Sequence, residues 1–589
     1  MTRQLLIYLS GISFAMFLFW EFSLTLISLY AGLTLSRWLI YGAIAMTYIT
    51  IFTIILLITR KTAVALLAII PTVILILGLS YGVVVNHSLY DTSFDGQSYQ
   101  GEAVVSLING WNPIHQPQSE YNNDYVNWSS NSRWLDSYPK ASWYLSSAMY
   151  DLTGHYTDIK FFNLSILFGV FLCLYAALSS FKFAENSGLN EALKLLLSFF
   201  ITMNPVAVMQ STTLNLDGLL YSLLIITFTV LFFLYRSFKD KTLPQGLYFA
   251  LLVMLIIITT NVKTAGLVYS LIFTLAFGIY ILMTRVKKLV YYIPVVFCSF
   301  ILAIGVFGYN PYMTNALIQG NILYPTYGRN SYSYKENTPS NYRNKSNIEV
   351  FIHSLFFATD DKFLDGEGEA AVIKLPFVVS NSEIKSLTNS QLKKGGFGPL
   401  FSGTLVCILL AYLLAVGSQF KELTEHNPYT SKSQNPKILY GAGIVFMLSV
   451  IFFLSFTLTN TSNTVRYIPH LWFLLGIYLV YIFTTKYQVA RMVGILAIVV
   501  GFVNIFIVSY FYFSTQIIES IDINKNITNF VYSGDSYKVN FGYHTSTRQL
   551  FNEHQIPYKG QKEELNCYNP QDKAGINKNN NTETCIITQ

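Results

Sequence analysis

Charge is scarce in this chain. Asp, Glu, Lys and Arg make up only 12% of its 589 residues, against 52% hydrophobic ones. No run of Lys and Arg forms a basic block; the net charge of +7 is spread over loops, which speaks against a nucleic-acid partner. Cysteine is sparse too. There are five, with no Cys-x-x-Cys and no His/Cys cluster at zinc-ligand spacing, so no cofactor is indicated, and a divalent metal on carboxylates stays open. Cys173, Cys298 and Cys407 lie in apolar runs and read as packing residues. Cys567 and Cys585 lie in the polar C-terminal stretch and can pair if it faces an oxidising compartment. No small-residue cleavage site follows the first apolar run, which is therefore read as a retained first span. No internal repeat is evident.

Long apolar runs are what the chain has instead. They recur at about 20 residues each, and the mean hydropathy is +0.43. The expectation is an all-α polytopic membrane protein with about 13 transmembrane helices. They are placed at 5–31, 39–59, 63–85, 159–181, 190–204, 215–235, 246–261, 265–284, 289–307, 400–419, 438–457, 467–484 and 492–513. A cytoplasmic N-terminus then puts 15 Lys and Arg on short inner loops, Lys61, Lys239 and Lys287 among them. Only Arg37, Lys263 and Arg466 fall on short outer loops. The chain divides into N-terminal transmembrane helices (1–85), an outer loop (86–158), a transmembrane core (159–307), a long outer loop (308–399), C-terminal transmembrane helices (400–513) and a small polar extracytoplasmic tail (514–589).

The outer loop opens with DTSFDGQSYQGEAVVSLINGWNP, which carries Asp91, Asp95 and Glu102 beside the membrane surface. Apolar residues at Tyr99, Ala103, Val104, Leu107, Ile108 and Trp111 have helical spacing, with Gln100, Glu102 and Ser106 on the polar back. This predicts an amphipathic helix lying on the membrane, entered at Asp95 and closed by Gly110, with Glu102 turned to water. An Asp before a helix is also ordinary capping chemistry, so Asp95 has a structural reading beside a catalytic one. A second surface helix is predicted between Pro139 and Gly154, with Trp143, Tyr144, Met149 and Tyr150 at headgroup level. Asp217, Lys263 and Arg466 each stand alone in a short outward turn. Asp217 can cap its helix and the two cations can snorkel, yet a charge at this depth usually has a partner. A phosphate suits both cations, and the planar fork of Arg466 can hold one at two points. His115, His155 and His353 have no ligand partner at useful spacing and read as solvated or structural.

Carboxylates and cations on one outer face suit sugar transfer from a polyprenyl phosphate. A carboxylate takes the proton of an acceptor hydroxyl as its oxygen attacks the anomeric carbon, a cation steadies the departing phosphate, and the configuration inverts. The layout resembles the GT-C superfamily of polytopic membrane glycosyltransferases, which includes protein mannosyltransferases and aminoarabinose transferases. The closer resemblance is to bacterial GT-C-like proteins with an Asp-x-x-x-Tyr-His element, here Asp95-Gly-Gln-Ser-Tyr99-Gln100, where Gln100 stands in place of the His. GWNP at 110–113, YPKASW at 138–143, GNILYP at 320–325, GFGPLF at 396–401 and RYIP at 466–469 extend it through about residue 513. The resemblance implies a bacterial cytoplasmic-membrane enzyme with a polyprenyl-phosphate sugar donor. The acceptor would be a glycan, a wall polymer or a protein, and membrane lipid would surround the site. Asp95 is the first candidate for base and Asp91 the second. Arg466 and Lys263 are candidates for the donor phosphate, and Tyr99, Gln100, Glu102, Asp217 and Tyr324 for the substrate cavity. A polymerase or ligase of lipid-linked glycans, a flippase and an envelope scaffold stay open as alternatives.

Overall fold

The computed structural model describes residues 3–121, 131–240, 244–284, 287–326, 339–342, 344–358, 371–388, 390, 396–425, 435–457, 464–542, 544–560 and 585–588. Cys567, the 577–581 Asn-rich run and the loop cations Lys241, Arg285 and Lys432 lie outside the described residues. The fold is mostly helical, with three short strands near the C-terminus.

Ten of the described helices are long and apolar enough to cross a membrane. They are Arg3–Tyr30, Trp38–Thr59, Thr62–Asn86, Tyr156–Leu178, Asp217–Lys239, Gln245–Val262, Thr264–Met283, Leu289–Phe307, Phe401–Glu422 and Gln488–Ser533. The other three expected spans are helices as well. Ser187–Thr202 has 16 residues and a mixed surface, Asn435–Thr457 has 23 residues, and His470–Thr484, with 15, is short for a full crossing.

The described chain forms two compact units. One comprises Met1–Cys173, Gln210–Tyr332 and Phe513–Gln589; the other comprises Leu174–Met209 and Ser333–Tyr512. In the first, Arg3–Tyr30 is largely buried, because small residues let its neighbours come close. A Cβ on Gly11 would lie 2.8 Å from the Gly169 carbonyl, and one on Gly169 would lie 2.8 Å from that of Gly11. In the second unit, Trp472 stacks on Phe200 with centroids 5.0 Å apart, and its Nε1 donates to the Phe200 carbonyl at 2.9 Å. Of the cysteines expected to pack, Cys173 and Cys407 are buried, whereas Cys298 is exposed on the outside of its helix.

The polar tail is more structured than its composition suggests. The last long helix runs for 46 residues to Ser533, well past residue 513. Beyond it, β1 (Tyr537–Asn540) pairs in parallel with β2 (Tyr558–Gly560) and antiparallel with β3 (Cys585–Thr588). Ile523 and Ile527 from the helix close a small core with Tyr537, Val539, Phe541, Leu550, Phe551 and Ile556.

Candidate functional site

All of the candidate residues except Arg466 belong to the first unit. The segment around Asp95 is built by its two neighbours. Asp91 Oδ1 accepts from the Ser93 N–H (2.9 Å) and hydroxyl (2.6 Å), and its Oδ2 accepts from the Leu214 N–H at 2.6 Å. Ser93 Oγ in turn receives the Gly96 N–H at 3.2 Å, which is the bond an N-cap side chain makes. Asp95 is already in helical backbone, at φ −64° and ψ −36°, and its carboxylate accepts no capping bond from the turn that follows. That turn, Gly96–Gln100, is a π-helix, a wide turn common at functional sites. Burial pushes the Asp91 carboxyl above its usual range, against the pull of its hydrogen bonds.

The helix that follows, Gly101–Ile108, is short and ends before Gly110, whose φ of +96° reverses the chain. Its polar back does not face water. Glu102 is fully buried, with Ser106 Oγ donating to Oε1 at 3.2 Å and Thr545 Oγ1 to Oε2 at 2.7 Å. Arg548 grips both carboxylate oxygens, Nη1 bonding Oε2 and Nη2 bonding Oε1. The expectation of a hydrated Glu102 fails because residues from the far end of the chain cover it.

Gln100, at the place of the His in the family pattern, accepts from Trp143 Nε1 and donates to Tyr99 Oη at 3.3 Å. Tyr99 stacks on Trp134 at 5.4 Å, and Tyr138 stacks on Trp143 at 6.1 Å. Tyr99 and Trp134 are both half-buried. The Trp143 helix, Ala141–Thr153, ends at Gly154 with φ +73°, where the sequence places the stop. It packs inside the protein, however, and Trp143, Tyr144 and Met149 are buried instead of lying at headgroup level. Small residues such as Ala141, Ser142 and Ala148 make that packing possible.

Asp217 and Lys263 meet. Lys263 Nζ bonds Asp217 Oδ1, Gln210 Nε2 donates to Oδ2 at 3.2 Å, and both charged side chains are largely buried. Lys263 thus has its partner inside the protein. Tyr324 is buried, and its carbonyl accepts from Asn315 Nδ2 at 2.8 Å; the same nitrogen donates to Ser137 at 3.0 Å. In the second unit Arg466 is 7% exposed, donates to Tyr467 Oη at 2.8 Å and lies over that ring.

Four charged residues escaped the sequence reading. Arg548 lay in a stretch read only as a polar tail. Lys140 is buried against the carbonyls of Asp136 (3.0 Å) and Tyr138 (2.9 Å) and against Asn310 Oδ1 (2.9 Å). Burial lowers its ammonium to about 7. Lys160 donates to the Leu89 carbonyl at 2.6 Å, and Glu21 inside the first span accepts from Thr25 at 2.9 Å. An ionisable residue inside a long apolar run was a signal available for Glu21. Of the histidines, His115 bonds the Leu29 carbonyl at 3.1 Å, His155 lies 4.6 Å from the His87 ring, and His353 lies against Tyr342. Among the described residues, no group of three or more His, Cys, Asp or Glu could hold a metal ion. Comparison with protein-family models, with curated proteins and with solved structures finds no match to this chain.

Proposed function

We propose that the protein is a membrane glycosyltransferase that moves a sugar from a polyprenyl phosphate to an acceptor hydroxyl on the extracytoplasmic side, and that Asp95 is its general base. One observation carries the choice of base. The capping duty that would account for an acidic residue at this position is done by Ser93, itself held by Asp91. Asp95 is half-buried at the entrance of a π-turn. The stacked Tyr99 and Trp134, one turn on, support the reading, since sugar rings lie well on aromatic faces.

In the reaction, the Asp95 carboxylate takes the acceptor proton while the acceptor oxygen bonds to the anomeric carbon. The bond from that carbon to the phosphate oxygen breaks, and polyprenyl phosphate leaves with both electrons, inverting the centre. Arg466 is proposed for the phosphate on the chemistry of its fork. Lys263 is not, because Asp217 already holds it. The excess of Lys and Arg on the other loops supports a cytoplasmic N-terminus, with the Asp95 loop and the tail outside.

The test is sugar transfer from a polyprenyl-phosphate donor in membranes matched for expression. Asp95→Asn keeps the size of the side chain but cannot act as a base, so transfer falls by about 10²–10⁴-fold while donor binding survives. Full activity in this variant removes Asp95 from the chemistry.

A further inference from the structure

The residues at 541–560 read as a polar tail, yet they enclose apolar side chains and turn a set of polar ones toward the Asp95 segment. Phe541, Leu550, Phe551 and Ile556 fill the core of the small module. On its other side, His544 lies edge-on to Phe94 at 5.6 Å, and Ser546 Oγ donates to the Gln97 carbonyl at 2.6 Å. Arg548 and Thr545 close on Glu102. Gln549 Nε2 donates to Tyr150 Oη at 2.6 Å, and Glu553 accepts the Tyr156 N–H at 2.9 Å. The fit is tight: a Cβ added to Gly101 would come within 2.6 Å of Ser546 Oγ. The residue before Asp95, the second residue after it and the helix beyond are therefore all held by one module.

We propose that this C-terminal module positions the Asp95 turn, and that Arg548 is a positioning residue acting through Glu102. The inference rests on Asp95 being the base and adds what holds it in place. An ion pair buried at both ends, with side chains 5% and 0% exposed, is a poor source of stability beside an apolar pair of the same volume. What a two-point Arg–carboxylate contact supplies is a fixed orientation, here of a helix one turn from a wide, adjustable one. The hydroxyl of Ser546 takes up a carbonyl within that wide turn, so the module also sets the turn itself.

The experiment uses the full chain in membranes and compares wild type, Arg548→Met, and Arg548→Met combined with Glu102→Met. Four quantities are read: amide exchange at residues 94–108, donor bound per mole of protein, transfer kinetics and thermal stability. In Arg548→Met, protection at 94–108 drops by about tenfold and kcat by about 10²-fold, the usual cost of a misplaced catalytic group. Donor stoichiometry stays at the wild-type value and donor KM within about threefold, because the donor site is intact. The double variant, which leaves no charge stranded, regains thermal stability but, without the two-point contact, neither the protection at 94–108 nor kcat, and recovery of both in it overturns the proposal. Unchanged protection in Arg548→Met overturns the proposal. So does lost protection with unchanged kcat, and so does donor stoichiometry falling in step with kcat, the mark of plain misfolding. If wild type transfers no sugar, glycosyl transfer fails as a function. The clamp then stands or falls on exchange alone: lost protection in Arg548→Met sustains it and unchanged protection ends it.

Discussion

Replacing Lys263 by Met strands the Asp217 carboxylate, and the cost follows from the geometry. The Asp217 side chain is 3% exposed, so water cannot take the place of the lost ammonium. Removing one partner of a buried pair costs about 3–5 kcal/mol. Gln210 still donates to Asp217 at 3.2 Å and holds the Gly218 N–H at 2.8 Å, which keeps part of the network and places the cost at the low end, about 3 kcal/mol. Met preserves most of the volume of the Lys stem, so little of this is lost packing. Adding Asp217→Asn removes the stranded charge and brings stability back to within about 1 kcal/mol of wild type, a recovery of about 2 kcal/mol in the Lys263→Met background. Denaturant unfolding in detergent, followed by tryptophan fluorescence, measures both differences against wild type. The competing role predicts something else: a lysine serving a donor phosphate would raise donor KM and leave unfolding alone. Unchanged unfolding in Lys263→Met with a donor KM about tenfold higher would refute the structural assignment of the pair.

Four further outcomes follow from other groups. Asp91→Asn loses part of a three-donor carboxylate site, so stability falls by about 1–3 kcal/mol while turnover per folded molecule is retained, the reverse of Asp95→Asn; thermal inactivation beside transfer kinetics separates the two. Burial raises the Glu553 carboxyl to about 7, against the lowering pull of Tyr150 and the Tyr156 N–H and with the Asp158 charge adding to the rise. A raised acid favours the docked state at low pH, so module docking, read by amide exchange, is tighter at about pH 6 than at about pH 8 and weakens as pH rises through about 7; Glu553→Gln removes this dependence. Gly101→Ala pushes against Ser546, so protection of both the 94–108 segment and the module drops together. Arg466→Lys weakens donor binding, measured with a labelled polyprenyl phosphate, because a point charge cannot replace a two-point phosphate contact.

Length and hydropathy made the helices legible, and the stop at Gly154 could be read because a left-handed cap needs glycine. The same signals say nothing about which side of a helix faces protein. Lipid is as apolar as a protein core, so exposed Cys298 and buried Cys173 sit in sequences of the same character. Partner choice was hidden for another reason. Lys263 reaches Asp217 across 46 residues and Arg548 reaches Glu102 across 446, and no local pattern records a pairing at that distance. Amphipathic spacing located the Glu102 helix but gave its polar back to water, because a buried ion pair and a hydrated one have the same sequence until the covering segment is known.

The span of 446 residues between Glu102 and Arg548 is also an interval of time. At a synthesis rate of about 5–20 residues per second, roughly 20–90 seconds separate the two residues on the ribosome. Throughout that interval the Asp95 turn exists without the module that holds it, and Glu102 has no guanidinium to meet. A chain that stopped near residue 540 would already contain all ten of the described long apolar helices, yet it would lack His544, Thr545, Ser546 and Arg548. Under the proposed mechanism such a chain enters the membrane but makes no product, so synthesis of residues 544–548 decides when activity can begin.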